Sequence, residues 1–176
     1  GSSEEDGRKA LHAALDAGAT FFDTALSYGD GNSERLLREI LASPSERDRL
    51  DVATKIPPMN FEWPAKPTTP ITRAFPASHV VECVEKSLRN LGVEALGVEQ
   101  FHVWHDIWLA SDSWDDTRNT MERLKREGKV LHWGVSINDH APETALELLE
   151  DPLIETAQVI YNIYDRSPEK DLMPLA

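Results

Sequence analysis

The sequence predicts an α/β fold built on a parallel sheet. Helix-period and strand-period segments alternate along the 176 residues, no second composition zone or linker divides them, and the length suits one domain with a sizeable core. The whole of residues 1–176 is therefore read as a single domain.

The elements follow in order. Ser3 with Asp6 forms a capping-box pattern, and Ala10, Leu11, Ala14 and Leu15 recur at helical spacing until Gly18 ends the run. Thr20 to Ala25 is a short apolar strand. Ser33 is placed to cap a second helix with Leu36, Leu37, Ile40 and Leu41 on one face, and Asp51 to Ile56 is the next strand. Residues 57–76 hold six of the eleven prolines (Pro57, Pro58, Pro64, Pro67, Pro70, Pro76) with Phe61 and Trp63 among them, as an active-site cover or a tolerated surface insertion would. Ser78 then caps a helix whose Val81, Val84, Leu88 and Leu91 form a stripe closed by Gly92. Leu96 to His102 is a strand, Trp114 to Glu127 a charged amphipathic helix, and Val130 to Ser136 a strand. Pro142 to Glu150 reads as a helix, Thr156 to Tyr161 as a strand, and Ser167-Pro168-Glu169 opens a last helix.

Five strands interleaved with helices fit two architectures, an open doubly wound sheet and a (β/α)₈ barrel. A complete barrel takes about 250 residues and eight strands, so five strands here make either a small open sheet or part of a barrel.

Composition excludes several functions. The net charge of −13, from 31 acidic and 18 basic residues, argues against nucleic acid and anionic membranes as partners. No apolar stretch approaches the ~20 residues of a membrane span, and a soluble, cytoplasmic protein is expected. The single cysteine, Cys83, rules out an internal disulfide and a cysteine-rich zinc site, and reads as a small apolar residue on a helix face.

In either architecture functional side chains gather at the carboxyl ends of the strands. Those ends carry Asp23, Lys55, His102, Ser136 and Gln158, and Tyr28 follows just beyond the first. Taken singly, Asp23 could cap a loop, Lys55 pair with a surface carboxylate, and His102 be a core histidine. Together they suit one chemistry. A phenol is a poor acid near neutrality, with an ordinary pKa of about 10, and an ammonium beside it would stabilise the phenolate. Tyr28 beside Lys55 could then give a proton to a developing alkoxide, with Asp23 holding Lys55 and His102 directing the carbonyl oxygen. Proton donation to a carbonyl is productive only with hydride delivery to its carbon, which implies a nicotinamide cofactor.

The segments Phe22-Asp-Thr-Ala-Leu-Ser-Tyr-Gly29, Ala53-Thr-Lys55, Gln100-Phe-His102, Gly128-Lys-Val-Leu-His-Trp-Gly-Val-Ser136 and Gln158-Val-Ile-Tyr-Asn162 resemble successive motifs of the aldo-keto reductase superfamily, in that family's order and across roughly residues 8–176. The resemblance implies a (β/α)₈ TIM barrel reducing aldehydes and ketones with NADPH, NADH being the alternative. It implies Tyr28 as general acid, Lys55 and Asp23 as its tuning pair, His102 as the carbonyl-orienting residue, and Ser136 and Gln158 on the nicotinamide carboxamide. The partner is then a small carbonyl compound, with no metal ligand required.

Two departures stand out. Ile137 separates Ser136 from Asn138 where the family has Asn directly after the serine, and Gly97 occupies a strand position where relatives often have Asp; a packing effect is expected there. The family's first strand and its last units, which supply phosphate contacts, have no counterpart, so the barrel is expected to be incomplete and this portion weak or inactive by itself.

Three other readings compete with this one. Gly29-Asp-Gly31 lacks the third glycine of a dinucleotide fingerprint, Glu34 standing in the way, and Lys55 stands where that motif wants an acid. His102-Val-Trp-His105-Asp106 with Asp23 offers ligand types for a metal-dependent barrel hydrolase, but the two histidines follow a strand end rather than sharing a helix face. The third is a non-catalytic regulatory relative of the same fold. Trp63, Trp104, Trp108 and Trp114 either wall a site for a bulky or aromatic carbonyl or pack the loops; Trp133, within a strand pattern, is expected in the core.

Overall fold

A computed structural model describes residues 3–63, 66–137 and 140–176. Five strands form one parallel sheet: β1 (Phe21–Asp23), β2 (Asp51–Ile56), β3 (Leu96–His102), β4 (Val130–Ser136) and β5 (Ile154–Gln158), hydrogen-bonded in chain order. A doubly wound sheet reverses its strand order at a switch point; this one does not. The two edges also approach each other, since the Gln158 amide on β5 donates to the Asp23 carboxylate on β1 at 3.2 Å. The sheet is rolled, with an inner face and an outer one.

Helices cover the outer face: α1 (Glu4–Asp16), α2 (Asn32–Leu41), α5 (Ala77–Leu91) and α6 (Ser113–Arg126), with the short α3 (Pro44–Arg47), α4 (Ile71–Ala74) and α7 (Leu172–Leu175). The core lies between helices and sheet, where Leu37, Val84, Leu88, Phe101, Met121, Leu124, Trp133 and Leu148 are buried. Apolar stripes at helical spacing on α2 and α5 meet strands whose residues are buried on both faces through most of β2 and β3 and, in β4, from Trp133 to Val135. Trp104, Trp108 and Trp114 are buried against Phe75 and Phe101, so they pack loops rather than wall a site. Trp133 is core, its indole donating to the Met121 carbonyl at 3.1 Å.

Most expected boundaries agree with the structure, and the Ser3–Asp6 capping box is present. Several details differ. The first strand spans Phe21–Asp23 rather than residues 20–25, and Ser167–Glu169 is a separate 3-10 turn ahead of α7. Ser33 lies inside α2, whose cap is Gly31, and its hydroxyl accepts from Thr24 at 2.7 Å. Ser78 lies inside α5, which Pro76 caps without a side-chain bond. Residues 142–150 form two 3-10 turns, Pro142–Ala145 and Leu148–Glu150, because the Asp106 carboxylate takes the Glu147 and Leu148 N–H groups at 2.8 and 3.2 Å and divides the run. The last strand is Ile154–Gln158 rather than 156–161, so Gln158 sits at its carboxyl end.

Gly97 has a packing reason. A Cβ there would stand 3.0 Å from the Val52 carbonyl oxygen of the adjacent strand. Gly134 is tighter: its Cβ would meet the Thr156 hydroxyl at 2.0 Å and carbonyl at 2.8 Å, beside the register shift between β4 and β5.

Candidate active site

The loop after β1 continues along β2 before it turns. Thr24 N–H donates to the Ala53 carbonyl at 2.8 Å and Leu26 N–H to the Lys55 carbonyl at 3.2 Å. The chain then turns through Tyr28, whose carbonyl accepts from Ser33 at the start of α2. That path brings Tyr28 to the carboxyl end of β2, where Lys55 points inward.

Lys55 is almost wholly buried, and its ammonium is anchored by the Asp23 carboxylate at 2.6 Å and the Thr24 carbonyl at 2.7 Å. Its Nζ lies 5.5 Å from the centre of the Tyr28 ring. The Tyr28 ring meets the His102 ring edge-on at 5.8 Å between centroids. On its other side His102 meets Trp63 edge-on at 4.4 Å, and its Nδ1 stands 3.5 Å from the Ser27 hydroxyl. Asp23, Tyr28, Lys55 and His102 thus converge on one rim, contributed by β1, the loop after it, β2 and β3.

Ser136 and Gln158 extend the rim. The register places His102 opposite Ser136 and Ser136 opposite Gln158, so the ends of β3, β4 and β5 form one row. The Gln158 carboxamide oxygen is buried and has no hydrogen-bond partner among the described residues, while its nitrogen donates to Asp23. Asn138 lies outside the described residues.

Electrostatics divides the groups. Burial, and after it the nearby Lys55 charge, lowers the His102 pKa to about 4 against a smaller opposing pull from Asp23, so the imidazole is neutral at neutral pH. Burial first and the Asp23 carboxylate second raise the Tyr28 phenol above its ordinary value. This corrects the expected acidification of Tyr28 by Lys55. The ammonium is already paired with Asp23, so the phenol faces a neutralised pair and a partly desolvated setting.

Sequence reasoning missed Thr24, Ser27 and the Asp23–Gln158 bond. The first acts through its backbone, and the other two depend on the rolling of the sheet, so none left a local signal. Among the described residues no group of three His, Cys, Asp or Glu side chains converges as a metal site, and no helix is long and apolar enough to cross a membrane.

The sequence model of the aldo/keto reductase family matches residues 1–176. Methylglyoxal reductase YeaE of Escherichia coli is 30% identical over 166 residues, covering 94% of this chain and 51% of that protein. The structure of aldo-keto reductase AKR11C1 from Bacillus halodurans, in its holo form, superposes with a TM-score of 0.76 at 27% identity, over 96% of this chain and 53% of that one. The aldo-keto reductase from Klebsiella pneumoniae in complex with NADPH superposes with a TM-score of 0.70 at 28% identity, over 97% and 53%. The chain spans about half the length of the curated relatives it matches.

Proposed function

The chain belongs to the aldo/keto reductase family, and its rolled parallel sheet is of that family's TIM-barrel type; from this premise we propose that it carries the carbonyl-reducing centre of an NADPH-dependent oxidoreductase, with Tyr28 as proton donor. The observation that supports this most is the chain of contacts Asp23–Lys55–Tyr28–His102 on one rim, at 2.6, 5.5 and 5.8 Å.

Each residue has a role that follows from its surroundings. A neutral His102 can donate an N–H bond to the carbonyl oxygen without adding charge, which aims the oxygen towards the Tyr28 hydroxyl. Tyr28 gives its proton to that oxygen as negative charge develops there. The phenolate left behind faces the Lys55 ammonium, which is locked by Asp23 and the Thr24 carbonyl and so needs no reorganisation. A raised phenol pKa is compatible with this order of events, because the proton leaves only when the more basic alkoxide forms.

NADPH, when bound, supplies the hydride to the carbonyl carbon. Ser136 and Gln158 fit its nicotinamide: the unpartnered Gln158 oxygen suits a carboxamide N–H₂ donor, and Ser136 stands next to it in register. The NADPH-bound relative supports this choice of cofactor.

Tyr28→Phe in the full chain as encoded tests the assignment. Aldehyde-dependent NADPH oxidation should fall by about 10²–10⁴-fold with NADPH affinity retained. Undiminished turnover would remove Tyr28 from the reaction.

A further inference from the structure

The serine that precedes Tyr28 stands on a well-held stretch of loop. Leu26 N–H donates to the Lys55 carbonyl at 3.2 Å and Tyr28 N–H to the Ala25 carbonyl at 3.0 Å, so Ser27 is fixed from both sides. Its half-buried hydroxyl reaches Nδ1 of His102 at 3.5 Å.

The imidazole on the other side of that contact is held as firmly. Trp63 and Tyr28 meet its ring edge-on, at 4.4 and 5.8 Å between centroids. Directly after it, Val103 is buried and takes a φ of 73°, with its N–H on the Ser136 carbonyl at 3.1 Å. A β-branched residue in the left-handed region is strained, and such strain persists only where the surroundings over-determine the conformation. The fold therefore aims the ring, and it aims Nδ1 at Ser27.

A neutral imidazole carries one N–H and one bare nitrogen, and the bond made by one nitrogen decides which of the two holds the proton. A serine hydroxyl can donate or accept, so the carbonyl decides the direction. With the proton on Nε2, the hydroxyl donates to Nδ1 and the carbonyl oxygen accepts from Nε2; both ends are satisfied. With the proton on Nδ1, the bare Nε2 would face the lone pairs of the carbonyl oxygen, and both acceptors would lack a donor.

We propose that Ser27 is a positioning residue for carbonyl reduction: its hydroxyl donates to His102 Nδ1 and fixes the imidazole proton on Nε2, the nitrogen that meets the carbonyl oxygen. The inference rests on the proposed role of His102, through which Ser27 acts.

Nitrogen-15 NMR of the imidazole rings in the full chain as encoded reads the tautomer without turnover, with the His102 signals identified by their loss in His102→Gln. The wild type should show Nε2 protonated and Nδ1 bare at neutral pH, and Ser27→Ala should show the averaged signals of both tautomers. With propanal as the aldehyde, kcat for NADPH oxidation should fall about tenfold in Ser27→Ala, with KM for NADPH within about twofold. Ser27→Thr keeps the hydroxyl and should restore both the signals and most of kcat. A proton on Nδ1 in the wild type, or identical tautomer signals in the wild type and Ser27→Ala, would overturn the inference whatever the rates. A loss of kcat that Ser27→Thr does not restore would also overturn it, since it would mark Ser27 as a packing residue. If Tyr28→Phe leaves turnover intact, the catalytic reading fails while the NMR signals still decide whether Ser27 fixes the tautomer. If turnover requires Tyr28 and Ser27→Ala turns over like the wild type, the Ser27 assignment alone fails.

Discussion

Replacing Glu99 with Gln should make the protein progressively more stable than the wild type as the pH rises. Glu99 lies on β3, opposite Thr54 on β2 and Trp133 on β4, on the face turned towards the helices. It is completely buried, and among the described residues neither carboxylate oxygen has a hydrogen-bond partner. Thr54, its neighbour in register, donates instead to Glu34 at 2.7 Å, and Asn90 donates to the other Glu34 oxygen at 2.7 Å. Burial first, then the Glu34 charge, raises the Glu99 pKa well above 4.5, against a smaller opposing effect of Lys55. The sign follows. A carboxyl whose folded pKa is raised leaves stability intact below the unfolded pKa, and stability is lost as the pH rises towards the folded value, because only the unfolded chain releases the proton. Each pH unit in that window removes stability on the order of 1 kcal/mol, so the wild type loses stability relative to Glu99→Gln between pH 5.5 and 7.5 for as long as the folded carboxyl stays protonated. Gln keeps the shape and lacks the titration. Urea denaturation of both proteins at the two pH values measures the difference directly, and for a domain of this size each kcal/mol moves Tm by about 2–4 °C. A difference that does not change with pH would refute the reasoning, since it would mean that Glu99 is solvated or paired in the folded state.

Two further outcomes follow from the same geometry. The His102 imidazole should titrate near pH 4 in NMR spectra; because its folded pKa is lowered, the stability it contributes is complete above pH 6.5 and is lost as the pH falls towards 4, a loss that His102→Gln should abolish. Gly134→Ala should destabilise by about 1–3 kcal/mol in thermal denaturation, because the new Cβ meets both the hydroxyl and the backbone carbonyl of Thr156; an unchanged Tm would show that β5 shifts freely.

The strands at the centre of the sheet could be read directly from the sequence. Asp51–Ile56, Leu96–His102 and Val130–Ser136 agree with expectation at both ends because each lies between turn signals and is packed on both faces, β4 only from Trp133 to Val135. The edge was harder. Val159, Ile160 and Tyr161 are as apolar as a strand, yet the ladder pairs Ile154 with Trp133 and ends at Gln158, since register is fixed by the partner strand and by the shift at Gly134. Likewise the 142–150 run looked like one helix until a carboxylate from Asp106, some forty residues away, took two of its N–H groups. Of the site, the residue types and their places at strand ends were legible, but the direction of the Tyr28 shift was not. That direction depends on Asp23 neutralising Lys55 and on how deeply the phenol sits, both properties of the assembled rim.

By itself the sequence determined the alternation of strands and helices, the inward stripes of α2 and α5, and the presence of an acid, a phenol, an ammonium and an imidazole at successive strand ends, because those depend on local periodicity and on chain order. Only the tertiary structure decided that the sheet rolls until Gln158 reaches Asp23, that Trp63 rather than Trp104 or Trp108 stands against His102, and that Glu99 is sealed without a partner. Each of these depends on side chains far apart in sequence competing for the same few ångströms, and no local pattern records the outcome of that competition.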